Sequence, residues 1–186
     1  MRLFAAIDLP DDVAESLSAA LPGGDRLRYV PREQWHVTLA FYGELSEPVL
    51  AELSERLGWS ARRTPAFGLS LRGAGTFPAQ ARRGRLLWCG LAGDVEALER
   101  LAERALASGR RCGIALEERA FSPHLTLARA RHDPVDLRPE VEALSAYASR
   151  EWTVDELHLV QSRLGPPVSH RRLQSWPLGS SPRSAA

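Results

Sequence analysis

Residues 35–41 read Trp-His-Val-Thr-Leu-Ala-Phe, and residues 123–129 read Pro-His-Leu-Thr-Leu-Ala-Arg. Each stretch has the pattern of a β-strand, in which side chains two residues apart point to the same face. The polar pair of the first strand is His36 and Thr38. The second pair is His124 and Thr126, on the face opposite its two leucines. The side chains that simple alternation places on the other, apolar face of the first strand are Val37, Leu39 and Phe41.

The repeat of this pattern is rarer than either copy alone. A His followed two residues later by Thr and then an aliphatic residue arises by chance for roughly one His in a hundred at ordinary residue usage. The chain has five His, so two chance copies have a probability on the order of one in a thousand. We therefore expect the two strands to meet, with acid, base and hydrogen-bond donors around one small polar substrate.

Size and composition are those of an ordinary globular protein. The chain has 186 residues, 44% of them hydrophobic, and a formal net charge of +1, so any nucleic-acid partner must be met by a local patch. The two cysteines lie in apolar stretches and favour a reduced, cytoplasmic protein. We expect no signal peptide and no membrane partner, because the N-terminal apolar run meets Asp8 at once and no run could span a bilayer. We predict a single bilobal domain over 1–179, a disordered tail over 180–186 and a monomeric protein.

The order of elements predicts the fold class. Apolar runs and helix signals alternate as β-α-β-β-α-β-β-α-β-(α)-β-β, with a loop over 73–78, one strand over 151–160 and a final edge strand over 170–176. Strands that follow one another without helices favour an α+β fold with antiparallel sheets over a doubly wound parallel sheet. His36 and His124 lie in similar surroundings, which indicates a pseudo-two-fold duplication with a groove between two sheets.

Several stretches resemble one family. The paired motifs resemble those of the two-histidine phosphoesterase superfamily. The RNA 2′,3′-cyclic phosphodiesterase family, also named for 2′–5′ RNA ligase activity, is resembled by residues 2–10, 41–43, 75–78, 86–88 and 121–129. The resemblance covers nearly all of the chain except the tail. It implies a bilobal α+β fold with both motifs lining a central cleft. It also implies hydrolysis of an RNA 2′,3′-cyclic phosphate, or of a cyclic nucleotide, to a 2′-phosphate, with no metal and no cofactor.

The resemblance also implies catalytic roles for the two histidines. Opening a cyclic phosphodiester needs a base for water and an acid for the leaving ribose oxygen, and imidazoles can serve as both. The family pattern makes His36 the proton donor and His124 the proton acceptor, although the residues alone do not fix which is which. Family members often carry a Tyr in the last strand, where the nearest candidate here is His170.

Four further residues are expected to bind substrate. Thr38 and Thr126 would hold the phosphate oxygens through their hydroxyls. The family pattern places Arg129 near the phosphate, whereas ideal alternation puts it on the face opposite His124 unless a strand end or bulge redirects it. Phe41 could stack on a base, as aromatic residues do in single-stranded RNA sites, with core packing as the alternative for this residue and for Trp35.

Other functions stay open at this point. A metal site would need a second ligand at suitable spacing, which neither motif offers. A non-catalytic RNA-binding module would be expected to lack a His or Thr of one motif, and both are intact. The enzyme could also act on another cyclic nucleotide, such as ADP-ribose 1″,2″-cyclic phosphate, or on 2′–5′ linkages. The basic stretch 82–85 could contact an RNA backbone. The simpler interpretation of this stretch is a turn exposed to solvent.

Overall fold

The computed structural model describes residues 2–117, 120–163, 165 and 168–179. The predicted tail over 180–186 lies outside the described residues. The strands are β1 (Arg2–Asp8), β2 (Leu27–Tyr29), β3 (His36–Glu44), β4 (Phe67–Phe77), β5 (Leu86–Gly93), β6 (Leu125–Ala130), β7 (Trp152–Val154), β8 (Glu156–Arg163) and β9 (Ser169–Pro177). The helices are α1 (Asp11–Ala20), α2 (Glu47–Arg62), α3 (Val95–Arg111) and α4 (Arg138–Leu144).

Two antiparallel sheets confirm the predicted α+β fold. Sheet A has the strand order β3-β1-β8-β9, and sheet B has the order β2-β6-β5-β4-β7. If β2 is set aside, the two orders correspond strand for strand, with β3 matching β6 and β1 matching β5. Both histidine motifs therefore occupy equivalent positions in the two sheets, and β3 contacts β6 where the sheets meet.

One continuous hydrophobic core lies between the sheets and the helices. It takes Leu3, Ala5 and Ile7 from β1, and Leu87 and Cys89 from β5, all fully buried. A second, small cluster of Phe4, Ala6 and Val160 lies on the opposite face of sheet A. The helices cover the core side of the sheets, which leaves the face with this second cluster for the site. Within the described residues, no helix is long and apolar enough to cross a membrane.

The prediction of a loop over 73–78 is wrong. Residues 73–77 continue β4, which pairs with β5 as far as Phe77 opposite Leu86. The strand passes Gly73 by a bulge, where the register shifts and the backbone φ is +62°. Glycine tolerates this conformation. Because glycines in a sequence usually indicate a loop, the glycine-rich stretch was predicted as a loop although it continues the strand.

The prediction of one strand over 151–160 is also wrong, because this stretch forms two strands in different sheets. β7 pairs with β4 in sheet B, and β8 pairs with β1 in sheet A. The chain changes sheet at Asp155, between Val154 and Glu156. The apolar positions shift from Trp152 and Val154 to Leu157 and Leu159 at this point, a break in period-two alternation that one continuous strand does not explain.

Candidate active site

A bulge in β3 decides which of its side chains share a face. Thr38 lies opposite Ala6 and Ala40 lies opposite Ala5, so Leu39 is the extra residue between them. Directly opposed residues of an antiparallel pair point to the same face. The bulge therefore turns Phe41, which lies opposite Phe4, to the face of His36 and Thr38. The prediction that simple alternation buries Phe41 on the apolar face is wrong, and its side chain is 55% exposed.

The same bulge recurs in β6. Thr126 lies opposite Trp88, and Ala128 lies opposite Leu87, which makes Leu127 the extra residue. Arg129 then lies opposite Leu86, on the same face as Thr126. The bulge thus brings Arg129 to the polar face, contrary to ideal alternation. We call this shared face the cleft face of each sheet, and Arg129 and Phe41 occupy equivalent positions on it.

The two imidazoles are held in the same way. Nδ1 of His36 lies 2.7 Å from the carbonyl oxygen of Gln34, and Nδ1 of His124 lies 2.7 Å from the carbonyl oxygen of Ser122. A carbonyl oxygen only accepts, so Nδ1 is the donor in both rings. In the neutral imidazoles Nε2 is consequently unprotonated. Each ring therefore presents an atom that can take up or deliver a proton.

Aromatic rings pack against both imidazoles. His36 stacks on Phe4, with ring centroids 4.7 Å apart. His124 meets Phe77 edge to face, with centroids 5.1 Å apart, and lies 6.5 Å from Trp88. These neighbours fix the ring positions and shield them from water. The sequence motifs did not indicate them, because they come from β1, β4 and β5.

Trp88 depends on a glycine in the neighbouring strand. Gly75 lies opposite Trp88, and a Cβ at Gly75 would overlap the indole ring. The absent side chain lets the indole lie flat across β4, where it contacts Phe77 at a centroid distance of 5.7 Å. This glycine is therefore required by a close approach of side chain and backbone.

His170, on β9, is a third imidazole on the cleft face. Its ring lies edge-on to His36 with centroids 5.1 Å apart, and 5.3 Å from Phe4. Nδ1 of His170 is buried and has no hydrogen-bond partner among the described residues, and burial lowers the pKa of this side chain. His170, the nearest candidate for the position of the Tyr that the resemblance implies, thus contacts His36 of the first motif directly.

Burial dominates the electrostatics of His36 and lowers its pKa to about 4. The hydrogen bond to Gln34 and the charge of Asp8 act in the opposite direction, whereas positive charge on His170 or His124 lowers the pKa further. His36 is therefore neutral in the free protein at neutral pH. β3 also contacts β6, so the two motifs lie in strands that meet where the sheets join.

Asp8 lies beside His36 at the end of β1, as its cross-strand partner. Its carboxylate accepts a hydrogen bond from Arg172 and lies 3.7 Å from Nε2 of the buried His158. His158 in turn shares a hydrogen bond of 2.8 Å with the hydroxyl of Ser175. This network holds a carboxylate next to the first motif, and His158 is buried within it.

The hydroxyls of Thr38 and Thr126 are free within the described part of the chain, where neither makes a hydrogen bond to protein. Two other threonines differ: Thr64 donates to the carbonyl of Ser60 at 2.9 Å, and Thr76 donates to that of Pro78 at 2.8 Å. The motif hydroxyls thus keep their donors for a ligand. These hydroxyls, the two Nε2 atoms and Arg129 are the hydrogen-bonding groups on the two cleft faces, and their chemistry suits acid-base catalysis on an anion.

The remaining candidates take no part in this set. Trp35 belongs to the core, where its Nε1 donates to the carbonyl of Val30 at 3.0 Å. Arg82 lies in the turn over 81–83, which contacts α4. Hydrogen bonds from Arg138 are the main cause that lowers the pKa of the nearby Asp136 carboxyl, and the charge of Arg82 adds to them. His132 is exposed. The described residues contain no group of three His, Cys, Asp or Glu side chains that could hold a metal ion.

Comparisons with known proteins agree on one family. Residues 9–166 match the model of the 2′-5′ RNA ligase superfamily. An RNA 2′,3′-cyclic phosphodiesterase of Escherichia coli K12 is 35% identical over 183 residues, which cover 95% of this chain and 96% of that protein. A protein of the same name from Aeropyrum pernix is 41% identical over 111 residues, which cover 58% of this chain and 60% of that protein. The crystal structure of E. coli LigT complexed with 3′-AMP has a TM-score of 0.77 and 30% identity, over 95% of this chain and 97% of that one.

Proposed function

The chain belongs to the RNA 2′,3′-cyclic phosphodiesterase family of the 2′-5′ RNA ligase superfamily, and from this premise we propose that it hydrolyses the 2′,3′-cyclic phosphate at the end of an RNA strand to a 2′-phosphate. The observation that carries the proposal is the matched pair of bulged strands. Each delivers one imidazole with a free Nε2 and one free Thr hydroxyl to the same site. Hydrolysis at a single phosphate requires two phosphoryl oxygens to be bound and two protons to be transferred. The two hydroxyls and the two imidazoles of this symmetric arrangement can serve these needs.

Two proton transfers accompany the displacement at phosphorus. Nε2 of His124 takes a proton from water as the water oxygen attacks phosphorus. The bond between phosphorus and the ribose 3′ oxygen breaks, and Nε2 of His36 gives its proton to that oxygen. The product keeps the phosphate on the 2′ oxygen. A proton exchange with solvent returns both imidazoles to their starting states.

The low pKa of His36 fits the acid role once substrate is bound. Protonated His36 is the minor form of the free enzyme above a pH of about 4. The cyclic phosphate carries a negative charge, and an opposite charge at contact distance favours the charged form of an imidazole. Binding of the substrate therefore raises the pKa of His36 and loads it with the proton that it delivers.

Three residues stabilise the charge on the phosphoryl oxygens. Thr38 and Thr126 donate from their hydroxyls, and Arg129 supplies a planar guanidinium that can contact two oxygens at once. Phe41 occupies the position equivalent to Arg129 in the other sheet and stacks on the terminal base. The two bulged strands thus present a phosphate-binding side and a base-binding side.

The proposed enzyme is a cytoplasmic monomer. Every group of the site comes from one chain, and the site draws on both sheets, so residues 1–179 act as one domain. Cys89 and Cys112 are both free thiols, which suits a reducing compartment. The mass measured by light scattering is expected to be that of one chain, 20.5 kDa.

A hydrolysis assay tests the proposal. The purified protein is given RNA ending in a 2′,3′-cyclic phosphate in the presence of EDTA, and the product isomer is identified. We expect metal-independent conversion to the 2′-phosphate, lost in His36→Ala and in His124→Ala and kept in the control His132→Ala. Absence of turnover by the wild type would overturn the RNA assignment and leave other cyclic nucleotides or 2′–5′ linkages as substrates. Binding of RNA without turnover would favour the binding-module alternative.

A further inference from the structure

A second arginine lies next to Arg129 on the cleft face of sheet B. Arg28 of β2 is the direct cross-strand partner of Arg129 on β6, so both side chains point to the same face. β2 is the edge strand of the sheet, one strand spacing of about 4.8 Å beyond β6. Arg28 is exposed. The cleft face therefore continues past the phosphate-binding side as a pair of guanidinium groups at the rim.

Among the described residues, no carboxylate neutralises this pair. No ion pair in the described part of the chain involves Arg28 or Arg129, and directly opposed like charges destabilise a sheet. Burial and the charge of Arg28 together lower the pKa of Arg129. Two neighbouring arginines are already engaged: Arg26 pairs with Glu140 at 2.6 Å, and Arg131 donates to the carbonyl of Asp25 at 2.8 Å.

An anion between the two guanidinium groups would relieve their repulsion, and the substrate offers two anions. In the proposed function Arg129 contacts the terminal cyclic phosphate. We propose that Arg28 binds the phosphodiester on the 5′ side of the terminal nucleotide, so that the RNA strand leaves the cleft across the edge formed by β2 and β6. This inference rests on the proposed function and extends it from the terminal phosphate to the RNA chain.

The charges at the other end of the site favour this path. A cavity of about 460 Å³ opens beside β1 and is lined by three acids and two arginines, namely Asp8, Asp11, Glu33, Arg32 and Arg172. Arg172 is neutralised by Asp8, and Arg32 donates to the main-chain carbonyl of Asp11 at 2.8 Å. The acids outnumber the arginines there, so this end repels a phosphodiester. The edge with Arg28 attracts one.

The inference predicts that activity depends on the length of the RNA. A mononucleotide 2′,3′-cyclic phosphate has no upstream phosphodiester, whereas a trinucleotide ending in the same group does. We define the length ratio as kcat/KM for the trinucleotide divided by kcat/KM for the mononucleotide. An effect of a substitution on the catalytic step changes kcat/KM for both substrates by the same factor and cancels in the ratio. A change in the ratio therefore reports the contact with the upstream phosphodiester.

The experiment measures the length ratio for four proteins: the wild type, Arg28→Ala, Arg28→Lys and the control Arg110→Ala. Arg110 is an exposed arginine in the last turn of α3, so the control removes the same charge elsewhere. We expect Arg28→Ala to lower the ratio by about five- to tenfold, the range of one exposed charge-assisted contact. Arg28→Lys keeps the charge and most of the ratio. The salt slope for the trinucleotide should fall by about 0.7 in Arg28→Ala.

An unchanged length ratio in Arg28→Ala would overturn the inference, as would an equal loss in Arg110→Ala. Failure of the proposed function is a separate result, seen as wild-type protein that turns over neither substrate. In that case the contact between Arg28 and the upstream phosphodiester is tested by the dissociation constant of a trinucleotide with a 2′-phosphate end. Weaker binding by Arg28→Ala than by Arg110→Ala supports the contact, and equal binding contradicts it.

Discussion

At the scale of single residues, the motif side chains differ from other residues of the same type in their hydrogen bonds. Thr64 and Thr76 have donated their hydroxyl protons to main-chain carbonyls. Within the described residues, the hydroxyls of Thr38 and Thr126 have not. A free threonine hydroxyl on the cleft face makes no hydrogen bond that would stabilise the fold. We therefore expect it to act by binding a ligand.

Replacing these hydroxyls should therefore affect catalysis and leave stability almost unchanged. Thr38→Val or Thr126→Val removes one donor to the phosphoryl oxygens, and loss of such a donor lowers kcat by about 10²- to 10³-fold. Thr38→Ser and Thr126→Ser keep the donor and serve as controls. Steady-state kinetics and thermal unfolding of the same samples provide the measurement. Full activity of either valine variant would show that its hydroxyl does not contact the transition state.

Period-two alternation predicted the shared face of His36 and Thr38 correctly, as it did for His124 and Thr126. Alternation could not predict the carbonyl groups of Gln34 and Ser122 that fix the tautomer of each ring. These bonds depend on how the chain enters each strand, which side-chain type does not determine. The two entry segments share no obvious sequence, yet both end in the same bond of 2.7 Å.

At the scale of elements, the repeated bulge explains where the sequence prediction failed and where it was left open. Leu39 and Leu127 each insert one extra residue three positions after the histidine. Beyond this extra residue, side chains that simple alternation assigns to the apolar face point to the cleft face. Phe41 and Arg129 are the two residues affected in this way. A Leu-Ala pair gives no sequence signal for a bulge, because both residues are common in regular strands. Only the register with β1 and β5 reveals it.

The packing of Trp88 over Gly75 should be needed for both stability and activity. A Cβ at Gly75 would push the indole away from His124 and Phe77. We expect Gly75→Ala to lower the free energy of unfolding by about 1–3 kcal/mol, the range for overpacking, and to lower kcat/KM. Chemical denaturation and kinetics of the variant provide the measurement.

A double-mutant cycle separates this packing effect from a general cost of alanine at position 75. Trp88→Phe shortens the ring that Gly75→Ala would meet, so the double variant should lose less than the sum of the two single losses. Additive losses would mean that the glycine is required for another reason. The same cycle for kcat/KM would show whether the ring acts through His124.

At the scale of the whole molecule, the sequence predicted the kinds of element better than their partners. The α+β class and most strands were predicted correctly, because apolar alternation reports the burial of a strand. The division of residues 151–160 between two sheets was not predicted, because the shift in alternation between Val154 and Leu157 does not say which sheet each strand joins. The pseudo-two-fold duplication was inferred from two short motifs and is visible in the matching strand orders of the two sheets.

Buried imidazoles should make the stability of the whole fold depend on pH. Burial lowers the pKa of His36 to about 4 and lowers those of His158 and His170. In the unfolded chain these side chains titrate near 6.5. Between these values the unfolded state binds more protons than the folded state, so the free energy of unfolding falls as the pH drops from 6.5 towards 4.

Thermal unfolding between pH 7 and pH 4.5 measures this effect. We expect the free energy of unfolding to fall by about 2–3 kcal/mol, equivalent to roughly 4–12 °C in Tm. His158→Gln removes one buried titrating group and should flatten the dependence, whereas the exposed control His132→Gln should not. An identical pH dependence in the wild type and in His158→Gln would contradict the assignment.

In the proposed mechanism the two motifs divide the proton transfers, with His36 as the acid for the leaving oxygen. An RNA substrate whose cyclic phosphate has sulfur in place of the 3′ oxygen tests this most directly, because a thiolate leaves without a proton. General acid catalysis contributes about 10²- to 10⁴-fold, so the sulfur substrate should restore a factor of this size to His36→Ala and nothing to His124→Ala. Rescue of His124→Ala in place of His36→Ala would reverse the roles, and rescue of neither variant would contradict the two-histidine mechanism.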